Sequence, residues 1–302
     1  MGILIAILVA LVAALILSLL SLLWRTSRHQ LTYRRARALW RPFAFGDVKI
    51  IVGDLTQEYT ELKEFEAGGL VGTGDVQAAA NLVAYFEKVG FLGFNRSADV
   101  VYGNRLPGEI YGRNLICIGG QDANEATKEM FARIDHTLEG DAYEIRDATG
   151  SGPYELVREQ PDSQGVSAVT FDYGVLIKTR NPEDAARQVL IIAGCSGYGT
   201  WAGAKLACSE EFIRDPRVSP GRPIECLYSV DVINGVPQKP QLLDVRPLLP
   251  TARGYPRGEH QSDGIHDVPS PSSSPGPAPR LDPQSGCAGQ ALGAPGRRMG
   301  FP

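Results

Sequence analysis

The sequence has few of the residues from which metal sites and disulfide frameworks are built. Its 302 residues include five cysteines and four histidines. The cysteines are widely spaced and form no CxxC pair, which disfavours both a zinc site and a disulfide framework. We therefore expect a reducing compartment and predict no metal site.

The chain also lacks an excess of basic residues. Its net charge is -4 and its pI is near 5.7, which argues against nucleic acid as a general partner. With 43% hydrophobic and 21% charged residues, the chain can bury one core. We expect one folded domain, at residues 46–245.

No charged side chain occurs between Gly2 and Trp24. The apolar run from Ile3 to Leu23 is long enough to cross about 30 Å of hydrocarbon as a helix. Arginines follow this run and none precedes it, whereas a cleaved signal peptide has the reverse order. The sequence thus predicts a transmembrane helix at residues 1–24 and a basic juxtamembrane segment at 25–45. Because the basic residues follow the apolar run, this arrangement predicts a single-pass protein of the cell membrane whose C-terminal domain is cytoplasmic. Its predicted partner is the lipid bilayer.

Two stretches share a plan of apolar strand, glycine turn and helix. In the first, Asn114–Ile118 leads through Gly119 and Gly120 into a helix. In the second, the apolar run that ends at Ile192 leads through Gly194–Thr200 into a helix. Such a turn leaves backbone N–H groups free to bind an anion. In open α/β sheets these turns lie at the carboxyl ends of the strands, which is where ligands bind.

The remaining patterns set the fold class. Apolar runs at Val48–Val52, Asp99–Tyr102 and Ile224–Val230 predict further strands, and a helix with Asp75 as its N-cap is predicted to stop at Gly90. Between the two glycine turns, short β-branched and aromatic runs predict an antiparallel insertion. We expect a three-layer Rossmann-like α/β fold with a mostly parallel sheet, followed by a disordered Pro/Ser/Gly-rich tail at residues 246–302.

The turn after Ile192 reads G-x-x-G-x-G-T and matches none of the standard motifs. It differs from the dinucleotide fingerprint and from the P-loop, because Lys205 lies too far into the helix to be the phosphate-binding lysine. It also differs from the G-x-S-x-G nucleophile elbow around Ser196. Glycines that only let strand and helix pack closely explain the pattern as well as an anion site does.

Side chains near these turns offer several kinds of chemistry. Cys195 and Ser196 precede a helix. At a helix N-terminus the pKa of a thiol is lowered, and a hydroxyl can donate a hydrogen bond to a phosphate. His136 is the only histidine inside the predicted domain, so a Cys–His or Ser–His pair is disfavoured. Carboxylates at strand ends could take Mg²⁺ or a ribose hydroxyl, although capping explains two of them without a ligand. These acidic candidates are Asp54, Asp75, Asp122 and Asp231, with the amide of Asn124 beside them.

The segments Gly119–Asn124 and Ala193–Thr200 resemble a pattern of poorly characterised bacterial Rossmann-like domains. The resemblance covers Val48 to Asp231 and implies a doubly wound fold, with nucleotide-related ligands. It carries no catalytic residues, and the catalytic residues and the cofactor remain unidentified.

The sequence therefore predicts a membrane-anchored domain that binds a small anionic ligand, a nucleotide or a phosphorylated metabolite, as a sensor or interaction module. The alternatives are a hydrolase or transferase that uses Cys195, Ser196 or Asp122, and a protein–protein scaffold without a ligand. The predicted ligand-binding residues are Gly119, Gly120, Asp122, Asn124, Gly194, Ser196, Gly197, Gly199 and Thr200.

Overall fold

The structure is a computed structural model. It describes residues 2–44, 47–54, 71–90, 98–102, 106–141, 143–161, 163, 165 and 167–248. The predicted tail falls almost wholly outside the described residues. So does the charged stretch Gln57–Glu66, for which the sequence predicts either a surface helix or a loop. Residues 2–248 belong to one compact unit.

The described chain forms a mixed α/β fold with six α-helices and twelve strands. The helices are α1 (Gly2–Thr32), α2 (Arg34–Ala44), α3 (Thr73–Lys88), α4 (Glu125–Phe131), α5 (Gly197–Ala207) and α6 (Glu210–Arg214), with a 3-10 turn at Gly108–Ile110. The strands are β1 (Val48–Val52), β2 (Ala98–Tyr102), β3 (Asn114–Ile118), β4 (Leu138–Asp141), β5 (Glu144–Asp147), β6 (Tyr154–Glu155), β7 (Val157–Arg158), β8 (Val169–Arg180), β9 (Gln188–Gly194), β10 (Ile224–Ile233), β11 (Val236–Pro237) and β12 (Gln241–Pro247).

One large sheet has the order β11-β10-β8-β9-β3-β1-β2, with β12 paired to β10 and β7 to β8. Its three parallel ladders join β2, β1, β3 and β9. The other five ladders, around β8 and β10, are antiparallel. The sheet is curled into a half-barrel and is largely antiparallel, so the predicted mostly parallel Rossmann-like arrangement is wrong.

The connection between β8 and β9 is the reason for this difference. Only residues 181–187 separate the two strands, and a parallel neighbour needs a crossover of a dozen or more residues. Because β9 returns antiparallel beside β8, the long strand that the sequence assigned to an insertion becomes a central member of the sheet. The predicted antiparallel insertion exists as the separate β4-β5-β6 sheet.

Two hydrophobic clusters cover the two faces of the large sheet. On one face, α2, α3, α5 and α6 pack against the strands, with Trp40, Phe86 and Phe212 fully buried. Trp40 stacks on Phe212 with ring centroids 6.3 Å apart. On the other face, α4 and the β4–β5 hairpin bury Met130 and Ile145. This burial holds the strand ends, and therefore the turns that follow them, in fixed positions.

The N-terminal helix does not fulfil the membrane prediction. Crossing a bilayer takes about 20 consecutive apolar residues in one helix. Over the described part of the chain, no helix combines that length with that apolarity. The predicted transmembrane helix at residues 1–24 is therefore wrong, and so are the single-pass topology and the cell-membrane location that followed from it. Described apolar side chains of α1 such as Ile3 and Leu17 are more than half exposed.

Candidate functional site

The turn after β9 leads into α5 as the sequence predicts. Ser196 is the N-cap, with extended backbone angles, and its hydroxyl accepts a hydrogen bond from the Tyr198 amide at 3.3 Å. The side chain of Thr200 accepts from the Gly194 amide at 3.1 Å. Strand end and helix start are thus tied together by the hydroxyls of the turn itself.

A carboxylate of the chain already occupies the start of α5. Asp172 on β8 lies just beyond the end of β9, because the two strands are antiparallel and Gly174 pairs with Gly194. Its Oδ2 accepts from the Gly199 amide at 2.7 Å and from the Ser196 hydroxyl at 2.5 Å, and its Oδ1 accepts from the Tyr173 amide. The helix N-terminus that was predicted to bind an external anion therefore binds an internal one.

The start of α4 is capped in the same way. Asn124, which is fully buried, accepts with Oδ1 from the amides of Ala126 and Thr127 at 3.0 and 3.3 Å. Its Nδ2 donates to the carbonyl oxygens of Ile51 and Ile118. With both ends of its amide engaged, Asn124 connects β1, β3 and α4, and its place is structural. The sequence also allowed Asp122 to cap this helix, but the N-cap is Asn124.

Asp75 joins the two predicted turns. The residue lies in the first turn of α3, whose N-cap is Gly72 rather than Asp75. Burial raises the pKa of its carboxyl, and the neighbouring Thr200 side chain opposes that rise. A Cβ built on Gly119 would lie 3.2 Å from Asp75 Oδ2, and one on Gly72 would lie equally close. We call this meeting point of Gly72–Asp75, Gly119–Asn124 and Gly194–Thr200 the three-turn junction.

Burial changes the acidity of both carboxyl groups at this place. Desolvation raises the pKa of Asp75 to about 6, and the charge of Asp122 adds to the rise. Desolvation also raises the pKa of Asp172 to about 6, against the opposing effect of the hydrogen bond from Ser196. Each group is charged at neutral pH only at a free-energy cost, and such groups gather at functional sites.

The surroundings of the junction are acidic. Asp122 is exposed beside it, and Gln121 donates to Glu139 at 2.9 Å. A carboxylate accepts hydrogen bonds from hydroxyl and amino groups and repels phosphate. The junction thus fits a ligand that presents donors.

Most glycines of the turns are required for packing. A Cβ at Gly199 would lie 2.5 Å from the Tyr173 carbonyl oxygen, and one at Gly194 would collide with the start of α5. A Cβ at Gly74 would collide with the Gly197 carbonyl oxygen, so the N-termini of α3 and α5 touch. At Gly120 the nearest group is the Asp122 carboxylate. Close approach of backbone segments explains these glycines without a ligand.

Tyr228 on β10 is a further polar contact of this region. Its buried hydroxyl lies 3.0 Å from the Gly199 carbonyl oxygen and 3.3 Å from that of Ala193. The hydroxyl can donate to one of them at a time and so holds the first turn of α5 against β9. Sequence reasoning identified neither Tyr228 nor Asp172 as part of the site.

Several predicted chemical groups lie elsewhere or are inactive. Cys195 is buried, its thiol faces the Tyr154 carbonyl oxygen, and desolvation raises its pKa. A thiol in this state is a poor nucleophile. His136 packs on Phe131 with ring centroids 4.7 Å apart. Lys205 donates to the Pro237 carbonyl oxygen. Asp231 is exposed on β10 opposite Phe171, the neighbour of Asp172 on β8.

The structure brings together one part of the predicted site. Gly119 and Thr200 meet through Asp75, and Asp122 lies close enough to influence its pKa. Asn124 is engaged in capping. Within the described residues, no group of three or more His, Cys, Asp or Glu side chains is placed to hold a metal ion. No family model matches this chain, and no curated protein matches its sequence.

Proposed function

We propose that this domain binds a small polar ligand of the nucleotide or phosphorylated-metabolite class at the three-turn junction, and that it works as a ligand sensor or interaction module. The ligand presents its hydroxyl or amino groups to Asp75 and Asp122. Its phosphate points away from the junction, because Asp172 and Ser196 already cap the first amides of α5.

The observation that carries this proposal is the placement of Asp75. The side chain is buried between two glycine turns, with 5% of the residue exposed, and desolvation raises its pKa to about 6. Keeping a carboxylate there at neutral pH costs about 3 kcal/mol, from a rise of roughly two pKa units. Groups retained at such a cost are typical of binding sites.

Isothermal titration calorimetry of the full-length chain with adenosine, AMP, ATP and ribose 5-phosphate tests the proposal. We expect at least one compound to bind with a dissociation constant of about 1 mM or below. Asp75→Asn should weaken that binding about tenfold, because an amide cannot replace the charged acceptor.

Asp184→Asn is the matched control, since Asp184 is half-exposed and its contacts are to Ala186 and Arg187. This variant should bind as the wild type does. If none of the four compounds binds at several millimolar, or if Asp75→Asn binds as tightly as the wild type, the proposed site is wrong.

A second candidate, a hydrolase or transferase, is favoured by one contact. The Ser196 hydroxyl donates to Asp172, a carboxylate whose pKa of about 6 suits a base near neutral pH. The same hydroxyl also caps α5, and Cys195 is too deeply buried to serve instead. Turnover that disappears in Ser196→Ala would favour this activity, whereas turnover that survives in Ser196→Ala, Cys195→Ala and Asp122→Asn would dispose of it.

A further inference from the structure

A basic pocket lies at the opposite end of the α3–α5 helix pair. It has a volume of 430 Å³ and is formed where the α1–α2 bend meets the ends of α3, α5 and α6. Lys88 belongs to the last turn of α3 and Cys208 is the C-cap of α5. Asp75 and Lys88 are 13 positions apart on one helix, or roughly 20 Å. A small ligand at the three-turn junction therefore does not reach this pocket.

Cations dominate the lining of the basic pocket. Arg34, Arg35, Lys88 and Arg214 carry four positive charges, and Glu210 carries the one negative charge. Glu210 is paired with Arg214 at 3.0 Å. The charged side chains of the lining thus sum to +3 in a chain whose net charge is -4. A concave surface that carries one sign of charge concentrates ligands of the opposite sign.

Helix ends offset part of this positive charge. The C-terminal ends of α1, α3, α5 and α6 contribute lining residues, and each such end carries about half a negative charge. Four ends amount to roughly -2, which the neighbouring N-terminus of α2 partly cancels. The side chains therefore leave an excess of at least about one positive charge.

One arginine is already fixed across the basic pocket. Arg35 Nη1 donates to the Arg214 carbonyl oxygen at 3.4 Å, which connects α2 to α6. Apolar and aromatic walls complete the pocket with Ile213 and Tyr85. Desolvation raises the pKa of the Tyr85 hydroxyl, so it keeps its proton and can donate. Arginine forks and hydroxyl donors are the groups that bind phosphate in proteins.

We propose that the basic pocket binds a phosphate monoester, with Arg34 and Arg35 as its main contacts. Its volume lies within the range of small-molecule sites. The site is separate from the three-turn junction in place and in charge. A free phosphorylated metabolite and a phosphatidic acid headgroup present the same phosphate monoester, and the experiment includes both.

The test is a calorimetric titration of the full-length chain with glycerol 3-phosphate at low salt, because screening weakens exposed charge pairs. We expect a dissociation constant of about 1 mM or below. The double substitution Arg34→Gln/Arg35→Gln should weaken the binding about tenfold or more. Its thermal midpoint should stay close to that of the wild type, since both side chains are exposed.

Arg133→Gln/Arg217→Gln is the matched control. It removes the same charge from two exposed arginines that pair with Glu129 and Asp215 and do not line the basic pocket. This control should bind glycerol 3-phosphate as the wild type does. Equal weakening in both double variants, or none in Arg34→Gln/Arg35→Gln, would overturn the proposal.

Vesicles separate the two sources of the ligand. For the lipid headgroup, the protein is mixed with phosphatidylcholine vesicles that contain or lack phosphatidic acid. The readout is the difference in the fraction of protein bound to the two kinds of vesicle. If that difference depends on Arg34 and Arg35 while glycerol 3-phosphate does not bind, the ligand is a lipid headgroup. If glycerol 3-phosphate binds and the vesicles show no difference, the ligand is a free metabolite. Absence of binding in both arms would refute the site.

Discussion

The two ends of the α3–α5 helix pair differ in charge and in burial. At the N-terminal end, Asp75 and Asp172 are almost fully buried, and Asp172 accepts hydrogen bonds from the start of α5. At the C-terminal end, Arg34, Arg35 and Lys88 are exposed around a pocket. Acids near helix N-termini and bases near C-termini both complement the helix dipole, but only the buried groups are bound tightly enough to determine the structure. We therefore expect substitutions at the first end to change stability as well as binding, and those at the second to change binding alone.

Gly199→Ala should have the largest effect at the N-terminal end. A Cβ there would lie 2.5 Å from the Tyr173 carbonyl oxygen and 2.8 Å from Gly194 Cα. Both neighbours are backbone and cannot rotate away, so we expect a loss of about 3 kcal/mol in the free energy of unfolding. Denaturant titration measures it. Gly221→Ala, an exposed position with no atom near its Cβ, should change stability by less than about 0.5 kcal/mol, and a similar loss in both variants would break the comparison.

Asp172→Ala should come next, at about 2 kcal/mol. The substitution leaves the amides of Tyr173 and Gly199 and the hydroxyl of Ser196 without their acceptor. Buried donors that lose a partner each cost about 1–3 kcal/mol, and relief of the buried charge offsets part of the sum. Asp99→Ala, on the edge strand and paired with Lys49, is the control and should lose less than about 1 kcal/mol. Equal midpoints for Asp172→Ala and the wild type would show that α5 needs no internal anion.

Asp75→Asn should have the smallest effect, and this effect depends on pH. Because the folded-state pKa is raised to about 6, the carboxyl's contribution to stability is fully present below its unfolded pKa. That contribution is lost as the pH rises through about 6. From pH 5.5 to 7.5 the wild type should therefore lose about 1 kcal/mol through this group.

The Asn variant has no such proton to lose, and its stability should fall by that much less over the same interval. Denaturation midpoints at the two pH values give the comparison directly. Parallel pH profiles for the two proteins would mean that Asp75 is an ordinary solvated carboxyl.

Local patterns predicted the elements around the site. The apolar runs Val48–Val52 and Asn114–Ile118 form β1 and β3, and the run before Gly194 forms β9. Gly90, with φ of +92°, follows the end of α3 as a stop glycine should. These features depend on residues a few positions apart, which the sequence displays directly.

Contacts between distant segments could not be predicted in this way. Asp172 reaches α5 only because β8 and β9 are antiparallel neighbours, and the sequence gives no pairing register. The one available signal was an acid between Phe171 and Tyr173 in a strand that is otherwise largely apolar. Asp75 was predicted as a cap on its own helix, and its contact with Thr200 crosses 125 positions of chain.

The sequence by itself determined where strands stop at glycine and where helices start, because hydrophobic period and backbone freedom are local properties. Tertiary structure alone decided the strand order, the internal carboxylates that cap and line the turns, and the clustering of arginines at the far helix ends. The physical reason is that desolvation and hydrogen-bond partners depend on what lies nearby in space, and the folded sheet sets those neighbours.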